Sequence, residues 1–170
     1  MNSMEDCEMN RPCSEAELQA ELLLYREVFE YAPIGIIQTS LEGRILKANP
    51  AMTAMLGYDP VGNALETLGD IGDVYAGPEK RDQLLALALK QGRLSNYETR
   101  FRRRDGAVIT CRLHLRVVRD GQGQIRFLES FIEDISEQKK TATALAESER
   151  LYRGIFENTG AGTIIIVNNI

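Results

Sequence analysis

Three cysteines, one histidine and a run of arginines are the residues of this chain best suited to chemistry, and their spacing argues against most of it. Cys7, Cys13 and Cys111 are an odd set with no CxxC pair, and His114 is the only histidine. A zinc site needs closely spaced Cys or His ligands, so no metal is assigned. Unpaired thiols suit a reducing compartment better than a disulfide framework. No nucleophile stands beside a base, and there is no Gly-rich nucleotide loop or His-Glu pairing of the phosphoacceptor type. No catalytic residue is therefore assigned, and the chain is not expected to be an enzyme. Arg100, Arg102, Arg103 and Arg104 form a basic cluster, but the net charge of −5 argues against nucleic acid as the main partner.

What remains is binding, which depends on how apolar side chains are positioned. The 170 residues are 44% hydrophobic and 26% charged, the balance of a soluble globular domain with extensions. No apolar run approaches the roughly 20 residues needed to span a bilayer. The opening MNSMEDCEMNRPC lacks the basic and apolar regions of a secretory signal. The expected location is the cytoplasm, with no membrane segment in this stretch.

The elements can be read in order. Residues 1–13 are expected to be a disordered leader. Ser14 and Glu17 have the spacing of a capping box, opening a helix over 14–32. Leu18, Leu22, Tyr25 and Phe29 repeat along it as one apolar seam, which fits packing on its own domain or a helix pair in a dimer equally well. Pro33 ends it. A hairpin follows, with strands Ile34–Ser40 and Arg44–Ala48 around the turn Leu41-Glu42-Gly43. Asn49 and Pro50 open a short helix, one as cap and the other at the first position. Gly57 closes it.

Turns and broken helical pieces are expected over 58–77, then a helix from Pro78 to Gln91 stopped by Gly92. Three strands come next, Tyr97–Arg103, Val108–Val118 and Ile125–Ile135, joined by Asp105-Gly106 and Asp120-Gly121. Alternation in the middle strand puts Cys111, Leu113 and Leu115 on one face and His114 on the other. Cys111 then reads as a small buried hydrophobe rather than a reactive thiol. Asp134 and Glu137 have capping-box spacing, so a last, highly charged helix should run on to about Phe156. Five antiparallel strands flanked by helices make an α+β domain.

The chain also repeats itself. LYREVFEYAPIGII at 24–37 recurs as LYRGIFENTGAGTI at 151–164, with seven identities in fourteen positions at an offset of 127 residues. That offset is the size of a small domain plus a linker. A second unit is expected to begin near Leu151.

These pieces together resemble the PAS sensor domain family. The carriers are the opening stretch AELQAELLLYREVFEYAPIGIIQTSLEGRILKANPAMTAMLGY, the closing stretch RFRRRDGAVITCRLHLRVVRDGQGQIRFLESFIEDISEQKK, and the second LYRxxFE start. The resemblance implies a five-stranded antiparallel sheet in the order 2-1-5-4-3 with helices on one face. It divides the chain into the leader 1–13, the helix 14–32, a PAS domain 33–135, a connector helix 136–153 and the start of a second PAS domain at 154–170. The implied role is a sensory or dimerisation module of a multi-domain signalling protein, most often a sensor histidine kinase, otherwise a cyclic-dinucleotide enzyme or transcription regulator.

A pocket is implied among Met52, Met55, Leu56, Leu84, Leu87, Cys111, Leu113, Leu115 and Ile132, either filled as a core or open to a small apolar ligand. Asp134, Ile135 and Ser136 are the implied signal exit. Haem is disfavoured because residues 78–91 hold no histidine. Light-sensing flavin is disfavoured because residues 58–77 hold no cysteine. The arginine cluster falls on the implied edge strand, where charge discourages stray pairing or serves a dimer contact. A homodimer and downstream signalling domains are the expected partners.

Overall fold

The computed structural model describes residues 14–58, 69–77 and 79–158. The leader 1–13, residues 59–68 of the turn region and the expected second-domain strand after Gly162 lie outside the described residues.

Helix α1 spans Glu15–Tyr31. Both halves of its capping box are present: Glu17 N–H donates to Ser14 Oγ at 3.2 Å, and Ser14 N–H donates to Glu17 Oε2 at 2.7 Å. Strand β1 is Gly35–Thr39 and β2 is Ile45–Ala48. The turn between them closes with Ser40 N–H donating to the Arg44 carbonyl at 2.9 Å. Gly43 sits there at φ 105°, and a Cβ would come within 2.5 Å of Asp70 Oδ1, so only glycine fits. Helix α2 is Pro50–Met55, and a 3-10 turn covers Ile71–Val74.

Helix α3 spans Glu79–Gln91 and ends at Gly92, whose φ is 77°. Strands β3 (Arg93–Arg102), β4 (Val108–Arg119) and β5 (Ile125–Asp134) follow. Helix α4 then runs without a break from Ser136 to Asn158. The sheet is antiparallel in the order β2-β1-β5-β4-β3, so the fold is the expected α+β one.

Strand β3 starts four residues before the position expected from sequence. Leu94 is buried and pairs with Leu115, and a bulge between Leu94 and Tyr97 absorbs Ser95 and Asn96, the latter at φ 55°. Two polar residues outside the expected strand are therefore a kink inside the observed one.

The core lies between the concave sheet face and α2, the 3-10 turn and α3. Gly35 lets α2 rest on β1, since a Cβ there would meet Met52 Sδ at 2.9 Å and Met52 Cα at 3.3 Å. Asn49 is wholly buried and ties the two elements together. Its Oδ1 accepts from Ile36 N–H at 2.8 Å and Met52 N–H at 2.9 Å, and its Nδ2 donates to the Ile34 carbonyl at 2.9 Å. On α3 the inward face is Leu84 and Ala88, with Leu85 beside them.

No residue of α1 is buried. Its seam carries Leu18, Leu22 and Tyr25 at 52%, 59% and 48% exposure, with Phe29 half-buried and stacked on Tyr25 at 6.1 Å. Tyr25 alone reaches the convex sheet face, where its hydroxyl accepts from Gln38 Nε2 at 3.4 Å and Lys47 Nζ lies 5.9 Å from its ring centre. Among the described residues, no helix is long and apolar enough to cross a membrane.

Candidate functional site

The strands that alternate around β5 put one set of side chains on the concave face, and α3 closes over them. The result is a small cavity lined by Ile37, Thr39, Ile71, Tyr75, Arg81, Leu84, Leu85, Phe101, Leu113, Leu115, Leu128, Ser130 and Ile132. It leaves about 20 Å³ for the centre of a water molecule. That admits a water or so, far short of the roughly 300 Å³ of a drug-sized site.

Four of the nine residues assigned to the pocket from sequence line this cavity: Leu84, Leu113, Leu115 and Ile132. Met52, Leu56 and Cys111 are buried in packed core away from it, and Met55 packs at the core's margin. Leu87 requires correction. It is 37% exposed on the outer side of α3, because the helix turns Leu84 and Ala88 inward and Leu87 follows the opposite side.

The polar lining, Thr39, Tyr75, Arg81 and Ser130, was not anticipated from sequence. A signal for two of them exists: Thr39 lies two residues after Ile37, and Ser130 two before Ile132, so each shares its neighbour's face.

Burial pushes the Tyr75 hydroxyl well above its ordinary value. Burial, and then the nearby Asp134 carboxylate, push the Cys111 thiol up to about 12. A thiol so held stays protonated near neutrality and is a poor nucleophile. Iodoacetamide should accordingly leave Cys111 unlabelled in the native protein and modify it in denaturant. Rapid native labelling, read by peptide mass spectrometry, would show that the strand opens.

At the other end of β5, three consecutive residues lock the sheet to α4. Asp134 Oδ2 accepts from Arg103 at 2.9 Å, and its Oδ1 accepts from Ser136 N–H at 2.9 Å. Ile135 is fully buried, its N–H donating to the Thr110 carbonyl, and Ser136 Oγ accepts from Thr110 N–H at 2.9 Å. The capping box expected of Asp134 and Glu137 does not form. The first helical bond is accepted by the Ile135 carbonyl from Lys139, and Glu137 pairs with Lys140 at 2.7 Å.

Arg103 also departs from the edge-charge reading of its cluster. Arg100, Arg102 and Arg104 are exposed, but Arg103 is half-buried in the pair with Asp134, with its Nε buried and unpartnered. Thr99 Oγ1 is the other buried side-chain atom without a partner among the described residues.

Desolvation raises the Asp134 pKa, but hydrogen bonds from Ser136 and Arg103 outweigh it and hold the carboxyl below its ordinary 3.8. A depressed folded-state value stabilises the fold above the ordinary carboxylate range and loses that contribution as pH falls through the folded value. The corner should therefore hold at neutral pH and loosen below about pH 4.

Asp134→Ala removes both bonds and should speed hydrogen exchange over residues 136–150 while the sheet stays protected. Allowing for partial exposure, its stability cost should be about 1–2 kcal/mol. Unchanged exchange after Ser136 would count against coupling through this residue.

Among the described residues no cluster of His, Cys, Asp or Glu could hold a metal ion. The sequence profile of the PAS domain family matches residues 33–137. The C4-dicarboxylate transport sensor protein DctS of Rhodobacter capsulatus is 31% identical over 153 residues, covering 85% of this chain and 22% of that protein. The probable diguanylate cyclase DgcE of Escherichia coli is 31% identical over 121 residues, covering 69% of this chain and 11% of that protein. The chain thus spans less than a quarter of the length of these curated relatives. A PAS domain from Colwellia psychrerythraea superposes with a TM-score of 0.59 at 18% identity, covering 69% of this chain and 98% of that one.

Proposed function

Because the chain belongs to the PAS domain family, we propose that it is the sensory input module of a signal-transduction protein, turning a small ligand or partner at the concave face into a change in α4. The observation that carries this reading is the exit corner. Strand β5 contributes Ser130 and Ile132 to the cavity and, two residues on, Asp134 to the clasp that starts α4. A displacement at the cavity therefore has one short, hydrogen-bonded route out.

The parent is best read as a sensor histidine kinase, in keeping with the similarity to a transport sensor. The similarity to a diguanylate cyclase supports the alternative of a cyclic-dinucleotide enzyme. Residues 154–170 read as the start of a second PAS domain, since LYRxxFE recurs there. The module itself performs no catalysis and acts as a homodimer through the exposed α1 seam, with downstream signalling domains as further partners and nucleic acid as none. It needs neither haem nor flavin, so the purified protein should show no visible absorption bands. A coloured preparation would overturn that.

Native mass spectrometry tests the sensory reading. A co-purifying small molecule, displaced on unfolding, supports it, whereas a dry chain unresponsive to small molecules would make the domain a dimerisation spacer with a filled core. Reading the encoding locus for a phosphoacceptor histidine or a cyclase domain decides the parent.

A further inference from the structure

Thr39, Ser130 and Arg81 lie toward one end of the cavity and name a ligand class. Thr39, Tyr75 and Ser130 are 6%, 8% and 7% exposed, and none of their hydroxyls has a hydrogen-bond partner among the described residues. These oxygens are not sealed in the core as Thr99 Oγ1 is, so their hydrogen-bonding capacity is open to a guest in the cavity. Thr39 and Ser130 stand diagonally on paired strands, Ser130 facing Ile37 and Thr39 facing Leu128. Arg81 enters from α3, and its guanidinium donates to the Leu41 carbonyl at 2.8 Å, just beyond Thr39. Tyr75 lies within electrostatic reach of Arg81.

Arg81 makes no ion pair among the described residues. Glu42, also within its electrostatic reach, is exposed, and the nearby Asp70 carboxylate accepts from Gly72 N–H at 2.6 Å. The opposite end of the cavity is apolar: Leu84, Leu113 and Ile132.

We propose that this pocket binds a short-chain monocarboxylate, its carboxylate held by Arg81 and the Thr39 and Ser130 hydroxyls and its chain laid against Leu84, Leu113 and Ile132. The inference rests on the sensory reading above and adds the chemistry of the input. A planar guanidinium flanked by hydroxyl donors matches a carboxylate's acceptors. A dicarboxylate is excluded, because its second charge would lie buried against leucine and isoleucine with no counter-charge. The present free space suits a water, so the guest is small, roughly two to four carbons, and seats by moving α3 outward. Since α3 carries both Arg81 and Leu84, seating the guest shifts the cavity wall that packs on β3 and β4.

The test uses the full chain with butyrate, succinate and 1-butanol at constant ionic strength, followed by calorimetric titration and methyl NMR of Leu113 and Ile132. Butyrate should bind saturably and shift those methyls, and succinate should not. Arg81→Gln should weaken butyrate about tenfold or more. Because Arg81 also anchors Leu41, Ser130→Ala provides a second variant, expected to weaken butyrate several-fold with the fold intact. If 1-butanol binds as well as butyrate, or both variants bind butyrate unchanged, the carboxylate assignment falls and ligand sensing survives. If succinate binds as tightly as butyrate, the single-charge argument falls. If none of the three binds, the assignment falls, and native mass spectrometry on the same sample decides whether the sensory reading falls with it.

Discussion

Asn49→Ala should lower the free energy of unfolding by about 2–4 kcal/mol, a large share of a small domain's stability. The residue does two jobs with one amide. As the cap of α2 it satisfies Met52 N–H, a contribution worth about 0.5–2 kcal/mol. It also serves Ile36 N–H and the Ile34 carbonyl at the start of β1. Alanine leaves the buried Ile36 and Met52 N–H groups and the part-buried Ile34 carbonyl without this partner, at about 1–3 kcal/mol for each buried group so stranded. Urea unfolding should show a lower midpoint with an unchanged slope. Asn49→Asp retains the acceptor but strands the Ile34 carbonyl and buries a charge, so it should not rescue. A loss below about 1 kcal/mol for the alanine variant would mean that water replaces the amide.

The second large effect concerns assembly. Leu18, Leu22 and Tyr25 present an apolar stripe that the described residues leave about half exposed, and no residue of α1 is buried. A 17-residue helix with one apolar stripe is marginal in water unless the stripe is packed. Leu22→Lys combined with Phe29→Lys should convert a dimer into a folded monomer, halving the mass in light scattering and leaving the sheet's circular dichroism intact. Persistence of the dimer would place the interface elsewhere, with the convex sheet face the next surface to test. That face carries Glu129, buried with Gln38 Nε2 at 2.9 Å and Arg116 Nε at 2.6 Å.

Residues whose partners lie a few positions away were legible in the sequence, and those whose partners lie far off were not. Ser14 and Glu17 are three residues apart, as are Asn49 and Met52, so a spacing rule is nearly a statement about distance. The Asp134–Glu137 spacing obeyed the same rule and misled, because Asp134 is still paired in β5 and is drawn sideways to Arg103. Two bonds, to Arg103 just past the end of β3 and to Ser136 N–H, outcompete the single capping-box bond.

Leu87 and Ala88 show the same division. Helical periodicity admits either at the edge of the inward face. Packing of α3 on the sheet chose the smaller one, burying Ala88 completely and leaving Leu87 at the surface.

From its sequence alone this protein was determined to be an α+β sheet domain with the order of elements, the capped starts of α1 and α2, the glycine stops and the inside-outside alternation of β4 that the structure has. These follow from backbone sterics, side-chain period and hydrogen bonds within one turn, all of which travel with the local chain. Only the tertiary structure decided that Arg81 reaches the Leu41 carbonyl 40 residues away, that Arg103 leaves its cluster for Asp134 at a separation of 31, and that Thr39 and Ser130 meet across two strands. Those pairings are set by sheet order and by the close packing of a helix on it, and no short window of sequence contains both partners.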